Sequence, residues 1–181
     1  SKLLFVCSPN NPTGNSLNPE SIKKVLQNFK GLVIVDEAYI DFSASESWVN
    51  YLDFYPNLFV MQTLSKAWGL AGLRLGMGFA SPQIIALLNK IKPPYNINTL
   101  TQDAAIKTLE NKDVVDAQVE TILNERNRLV NAFKSVSFIK KIYPSEANFI
   151  LIMVDDANKR YEELIKNGVV VRNRSSQLHC K

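Results

Sequence analysis

Apolar runs too short for helices and without polar alternation recur early in the chain, at Leu3 to Cys7, Leu32 to Val35 and Leu58 to Gln62. Strands covered on both faces lose the in–out pattern of a half-exposed sheet, so these runs read as buried strands. Between the first two, Asn18 has the position of an N-cap, Pro19 the first helical position and Gly31 the residue beyond the last turn. A helix of about 11 residues fits there, the mean length of a globular helix. Strands alternating with helices specify a parallel α/β sheet, because a parallel crossover is most simply made by a helix.

The pattern continues with a strand over Leu75 to Ala80 and a helix from Ser81-Pro82 to about Ile91, broken by Lys92-Pro93-Pro94-Tyr95. Leu100 to Glu110 reads as helical. From Val114 to about Val136, apolar residues at Val115, Val119, Ile122, Leu129 and Phe133 recur in steps of three, four or their sum, which predicts an amphipathic helix of roughly six turns. Arg126 interrupts that seam and argues against a long coiled coil. Phe138 to Tyr143, Asn148 to Val154 and Val169 to Arg172 read as strands, with a helix over Ala157 to Asn167 that Gly168 ends. These elements predict a boundary near Val136: an α/β portion with the connecting long helix over 1–136, and a smaller α+β portion over 137–181.

Composition closes off other classes. With 46% hydrophobic and 21% charged residues among 181, and only 7 Gly and 8 Pro, the chain is neither disordered nor collagen-like. The excess of 21 Lys+Arg over 17 Asp+Glu is scattered, so it forms no stripe for a nucleic-acid backbone. Cys7 and Cys180 have neither zinc nor disulfide-framework spacing, so no metal is expected. The longest apolar run, Phe149 to Val154, is too short to span a bilayer, and the opening residues lack a signal peptide's pattern. A cytoplasmic location with no membrane partner is expected. The chain opens on Ser1, not Met, and its last segment runs from a strand-like stretch into a turn, which suggests a fragment.

Four features near strand ends carry chemistry: Asn11 in Asn-Asn-Pro-Thr-Gly, Asp36 and Tyr39 in Val-Asp-Glu-Ala-Tyr, Ser65-Lys66 after the third strand, and Arg74 among glycines. Open α/β sheets bind ligands outside the carboxyl ends of their strands, so these groups are expected to share one site. Singly, each has a plain structural explanation as a cap, a turn or a solvated surface group. Together, an amine, a carboxylate, a phenol, an amide and a guanidinium form the set that pyridoxal 5′-phosphate requires. Lys66 can form a Schiff base with the cofactor aldehyde and, once freed by substrate, act as a general base. Asp36 can hold the pyridine nitrogen protonated, because an opposite charge favours the cation. Tyr39 and Asn11 can hydrogen-bond the ring 3′ oxygen, and Arg74 with Ser65 suits the phosphate dianion.

These segments, with Thr-Leu-Ser-Lys-Ala-Trp-Gly-Leu-Ala-Gly-Leu-Arg-Leu-Gly, Asp-Glu-Ala-Tyr-Ile-Asp-Phe, Pro-Tyr-Asn and Val-Val-Arg-Asn-Arg-Ser, resemble the histidinol-phosphate aminotransferase group of the fold-type-I pyridoxal-phosphate family. The resemblance covers essentially the whole chain. It implies part of a mainly parallel-sheet large domain plus part of a small α+β domain. It also implies a homodimeric enzyme that exchanges amino groups between small amino and 2-oxo acids, here histidinol phosphate and 2-oxoglutarate. By it Lys66, Asp36 and Tyr39 are catalytic, and Asn11, Ser65 and Arg74 bind cofactor with them. Tyr95 matches a tyrosine of the substrate pocket and Arg172 an arginine near the substrate phosphate. Two further segments it implies are absent: an upstream Gly-Ser-Asp-Glu-like phosphate grip with a tyrosine that reaches the neighbouring subunit, and a downstream Cys-Leu-Arg-Ile-Thr-like strand. Without them the chain is expected to be inactive alone. A threonine-phosphate decarboxylase, or another class I or II aminotransferase, shares the scaffold and is the alternative. An ATPase, suggested by Asp36-Glu37 after an apolar run, would need a Gly-x-x-x-x-Gly-Lys-Ser/Thr loop that the sequence lacks. A purely scaffolding role leaves Lys66, Asp36 and Arg74 unexplained.

Overall fold

The computed structural model describes residues 1–177, so Cys180 and the final residues of the expected 137–181 portion lie outside the described residues. Four strands, β1 (Leu3–Cys7), β2 (Leu32–Asp36), β3 (Leu58–Thr63) and β4 (Gly76–Ala80), form one sheet in the order β1-β2-β3-β4. The pairs β1·β2 and β2·β3 are parallel, and β4 runs antiparallel to β3. The sheet is therefore mainly parallel, as expected, with β4 its antiparallel member. A parallel return needs a long crossover. Only a 3₁₀ turn, Ala71–Leu73, lies between β3 and β4, so the chain doubles back.

Helix α1 (Pro19–Asn28) forms where the sequence signals placed it. The Asn18 side chain accepts from the backbone N–H groups of Glu20 at 2.8 Å and Ser21 at 3.3 Å, satisfying two donors of the first turn. Its Ile22 and Leu26 pack with Val33, Val35, Leu58, Val60 and Trp48 into the main core. Gly31 serves close approach: a Cβ there would lie 2.3 Å from the Lys2 carbonyl oxygen. Cover on both faces holds for β2, where Val33, Ile34 and Val35 are all buried. It fails for edge strand β1, where Leu3 is 50% and Phe5 61% exposed.

Helices α2 (Pro82–Ile91), α3 (Thr99–Leu109) and α4 (Lys112–Phe133) follow. The seam of α4 is used unevenly. Val115 is buried and Val119 packs toward the cluster of Tyr39, Phe42, Ala67 and Ala147, whereas Leu129 is exposed. Arg126, which interrupts the seam, turns back and donates to the Ala147 carbonyl at 2.8 Å. Strands β5 (Ile139–Ile142) and β6 (Ile152–Val154) pair antiparallel, and α5 (Ala157–Lys166) follows. The strand expected over Asn148 to Val154 shrinks to its last residues. The one expected over Val169 to Arg172 does not form; Val170 is 82% exposed and the run has no ladder to join. Among the described residues no helix is long and apolar enough to cross a membrane.

The loop after β1 is anchored from far along the chain. Gly14 has φ +78°, and a Cβ there would lie 2.6 Å from Ser145 Oγ and 2.9 Å from its Cβ. Gly14→Ala is expected to destabilise the protein by about 2 kcal/mol, combining the left-handed backbone penalty with a steric clash. Chemical denaturation measures it; a loss below about 0.5 kcal/mol would show that the loop yields freely.

Candidate active site

The parallel register sets Cys7 beside Asp36 and Asp36 beside Met61, so β1 and β2 end together and β3 runs two residues further, to Thr63. Asp36, half-buried, closes β2 and its Oδ1 accepts from the Ala38 N–H at 3.0 Å. Its negative charge is felt at the neighbouring strand end: partial burial, then the Asp36 carboxylate, pushes the Cys7 thiol above its ordinary range. Beyond β2 the chain turns through Tyr39, whose ring is buried at 9% exposure and stands edge-on to Phe149 at 5.2 Å.

The loop after β1 carries Asn11, held between the backbone bonds Asn10 N–H to Asn15 carbonyl (2.9 Å) and Gly14 N–H to Asn10 carbonyl (2.7 Å). Asn11 Nδ2 donates to Tyr39 Oη at 2.8 Å across 28 positions of sequence. The Lys66 ammonium lies 5.4 Å from the centre of the Tyr39 ring. Lys66 sits in the turn after β3, which is fixed by Ser65 N–H to Thr63 Oγ1 (3.1 Å), Gly69 N–H to the Lys66 carbonyl (3.1 Å) and Leu70 N–H to the Leu64 carbonyl (2.9 Å). Arg74 ends this turn with φ 54° and ψ 41°, a left-handed conformation costly for any residue with a Cβ, and its guanidinium donates to the Ala71 carbonyl at 3.0 Å.

Asn11, Tyr39 and Lys66 thus come together, Asp36 stands at the adjoining strand end, and Ser65 and Arg74 bracket the lysine turn. Tyr95 and Arg172 do not join them: Tyr95, in the break between α2 and α3, is 95% exposed, and Arg172 is exposed. Instead Arg174 reaches in, its Nη2 donating to Asn11 Oδ1 at 3.2 Å. Sequence reasoning passed over Arg174, although it stands in the quoted Val-Arg-Asn-Arg-Ser segment. Glu37, which the ATPase reading invoked beside Asp36, is a carboxylate 1% exposed that accepts from Ser47 Oγ, Trp48 N–H and Gln62 Nε2. With every donor matched to the carboxylate, Glu37 is a structural tie between β2, β3 and the 3₁₀ turn Trp48–Tyr51.

A mainly parallel sheet with an amine, a carboxylate and a phenol–amide pair past its strand ends has the architecture of the fold-type-I pyridoxal-phosphate aminotransferases. Residues 1–180 match the family described as aminotransferase class I and II, and the chain belongs to that family. It is 57% identical over 180 residues to a histidinol-phosphate aminotransferase of Flavobacterium johnsoniae, covering 99% of this chain and 52% of that protein. The chain therefore spans about half the length of the curated relatives it matches. Among solved structures it superposes on the histidinol-phosphate aminotransferase of Clostridium acetobutylicum with a TM-score of 0.90 at 29% identity, covering 98% of this chain and 56% of that one. The Sinorhizobium meliloti histidinol-phosphate aminotransferase in complex with pyridoxal-5′-phosphate gives a TM-score of 0.85 at 25% identity, covering 95% and 49%.

Proposed function

We propose that this chain forms the central and C-terminal part of a pyridoxal-phosphate enzyme that moves an amino group between histidinol phosphate and 2-oxoglutarate. The reading is carried by its 57% identity, across almost its whole length, to a relative of that name. The donor set fits the cofactor: the 2.8 Å Asn11–Tyr39 pair presents two groups for one ring oxygen, with the Lys66 amine nearby. When bound, the cofactor supplies the electron sink that stabilises negative charge at the substrate Cα.

The rest falls to this chain's own side chains. Asp36 holds the proton on the ring nitrogen, because its fixed negative charge favours the cation in a partly dry site. Tyr39 Oη and Asn11 Nδ2 donate to the ring 3′ oxygen, and Ser65 and Arg74 bind the cofactor phosphate. Lys66 Nζ would hold the cofactor through its aldehyde, with loss of water, and as a free amine would move the proton at the substrate Cα. Tyr95 lines the substrate pocket and Arg172 binds the substrate phosphate. In this reading the enzyme is a cytoplasmic homodimer, and its large and small domains meet near Val136.

The test is the intact enzyme assayed with histidinol phosphate and 2-oxoglutarate. Transamination is expected to exceed decarboxylation of threonine phosphate by at least about a hundredfold, as expected when only one substrate satisfies the site's polar groups. Preference for decarboxylation would replace this reading with the decarboxylase one. In the same assay Arg172→Ala is expected to impair the phosphorylated substrate far more than the unphosphorylated alcohol, and equal losses would remove Arg172 from the phosphate site. Asp36→Asn keeps the shape but removes the charge, so turnover is expected to fall about a hundredfold while cofactor occupancy changes little. Unchanged turnover would make Asp36 a structural residue.

A further inference from the structure

Glu146 lies in the segment joining β5 to β6, and the proposed chemistry does not use it. Its Oε2 accepts hydroxyl hydrogens from Ser16 at 3.0 Å, Ser43 at 2.5 Å and Ser45 at 3.1 Å. Its backbone N–H donates to the Gly14 carbonyl at 2.6 Å, and the carbonyl of the next residue, buried Ala147, takes the Arg126 guanidinium. A carboxylate can accept several donors at once, and its charge strengthens each. Burial pushes the Glu146 carboxyl up, but the hydroxyls of Ser43, Ser16 and Ser45 outweigh it and hold the group below the usual range.

The three serines belong to the two loops that carry the cofactor's 3′-oxygen contacts. Ser16 follows the loop of Asn11. Ser43 closes the 3₁₀ turn Ile40–Phe42 directly after Tyr39, its N–H donating to the Ile40 carbonyl at 2.9 Å, and the Ser45 N–H donates to Ser43 Oγ at 3.0 Å. One carboxylate therefore ties both loops together, and fixing the loops fixes the Asn11–Tyr39 pair between them. We propose that Glu146 is a positioning residue for Asn11 and Tyr39, setting the direction from which both meet the cofactor's ring oxygen. The inference rests on the reading of Asn11, Tyr39 and Lys66 as cofactor contacts.

The test uses the intact holoenzyme with Glu146→Ala and Glu146→Gln, read by the pH midpoint of the bound cofactor's visible band and by amide hydrogen exchange of the cofactor-free protein. In Glu146→Ala the midpoint is expected to rise by about one pH unit, because weakened hydrogen bonds no longer favour the charged ring oxygen. Glu146→Gln retains a neutral acceptor and is expected to recover at least half of that shift. Exchange is expected to quicken in residues 10–16 and 39–45 together and to stay unchanged in β2 and β3. An unmoved midpoint in Glu146→Ala, with or without faster exchange, overturns the inference and leaves Glu146 as a loop tie only. A wild-type protein that binds the cofactor without a titrating visible band overturns the reading of the site, and the inference with it. Should Glu146→Ala fail to fold, Ser16→Ala and Ser43→Ala carry the same test, with smaller shifts expected in the same direction and unmoved midpoints overturning it.

Discussion

Lys66→Ala in the intact enzyme is expected to lower turnover by about 10⁴-fold or more while barely moving stability. One amine is assigned two tasks, attaching the cofactor and moving a proton at the substrate Cα. General acid–base catalysis alone contributes about 10²–10⁴-fold, and loss of the covalent anchor adds to it. The folded state loses little. Lys66 is an exposed residue whose ammonium lies over the Tyr39 ring at 5.4 Å, a contact worth about 0.5–1 kcal/mol at such a site. At about 2–4 °C per kcal/mol for a protein of this size, that is a fall of roughly 1–4 °C in Tm. Borohydride reduction of the wild-type holoenzyme is expected to fix the cofactor on the peptide containing Lys66, and a label on Lys90 or Lys92 would sink the assignment. Retained turnover in Lys66→Ala would do the same.

The 181-residue chain by itself is expected to fold in part, to self-associate and to be catalytically silent. Among the described residues β1 pairs only with β2, leaving its outer edge open, and its Leu3 and Phe5 are exposed. Further along, Leu87, Ile91, Leu100 and Ile106 are 62%, 78%, 81% and 54% exposed. An open edge beside apolar surface is a template for association, so light scattering at micromolar concentration is expected to report species larger than a monomer. Turnover is expected to be at least a hundredfold below the intact enzyme, since misplacing a reacting group by about 1 Å already costs that much. A monodisperse monomer that turns over histidinol phosphate within about tenfold of the intact enzyme, a barrier difference of only ~1.4 kcal/mol, would show that this half carries a complete site.

What the sequence made legible was local. The Asn18–Pro19 signal worked because an N-cap acts within three residues, and the run forming β2 announced itself because Val33, Ile34 and Val35 are buried on both faces. Asn11, Tyr39 and Lys66 could be expected together because each lies just past a strand end, and the structure brings them together; their cofactor roles belong to the proposed reading. What stayed hidden depends on partners distant in the chain. Val169 to Arg172 has a strand's composition, but a strand also requires a neighbour, and composition does not say whether one is there. The reversal of β4 follows from the lack of a crossover helix between Gln62 and Leu75, where no helix is expected from the sequence and the structure has only the Ala71–Leu73 turn. Glu146 carries no local mark at all; its three serines lie more than a hundred positions away.

That separation bears on the order in which the molecule comes together during synthesis. Among the described residues the sheet and α1 lie within 3–80 and can form while the ribosome is still making α4. The loop after β1 meets its anchor, 130 positions later at Glu146, only after the β5–β6 segment has emerged. At elongation speeds of about 5–20 residues per second, that gap lasts on the order of ten seconds. Over that interval the nascent chain is expected to have a formed sheet whose β1 loop still lacks its Glu146 anchor. In the proposed reading, cofactor capture is expected to come late, timed by the arrival of a segment that contributes none of the proposed contacts.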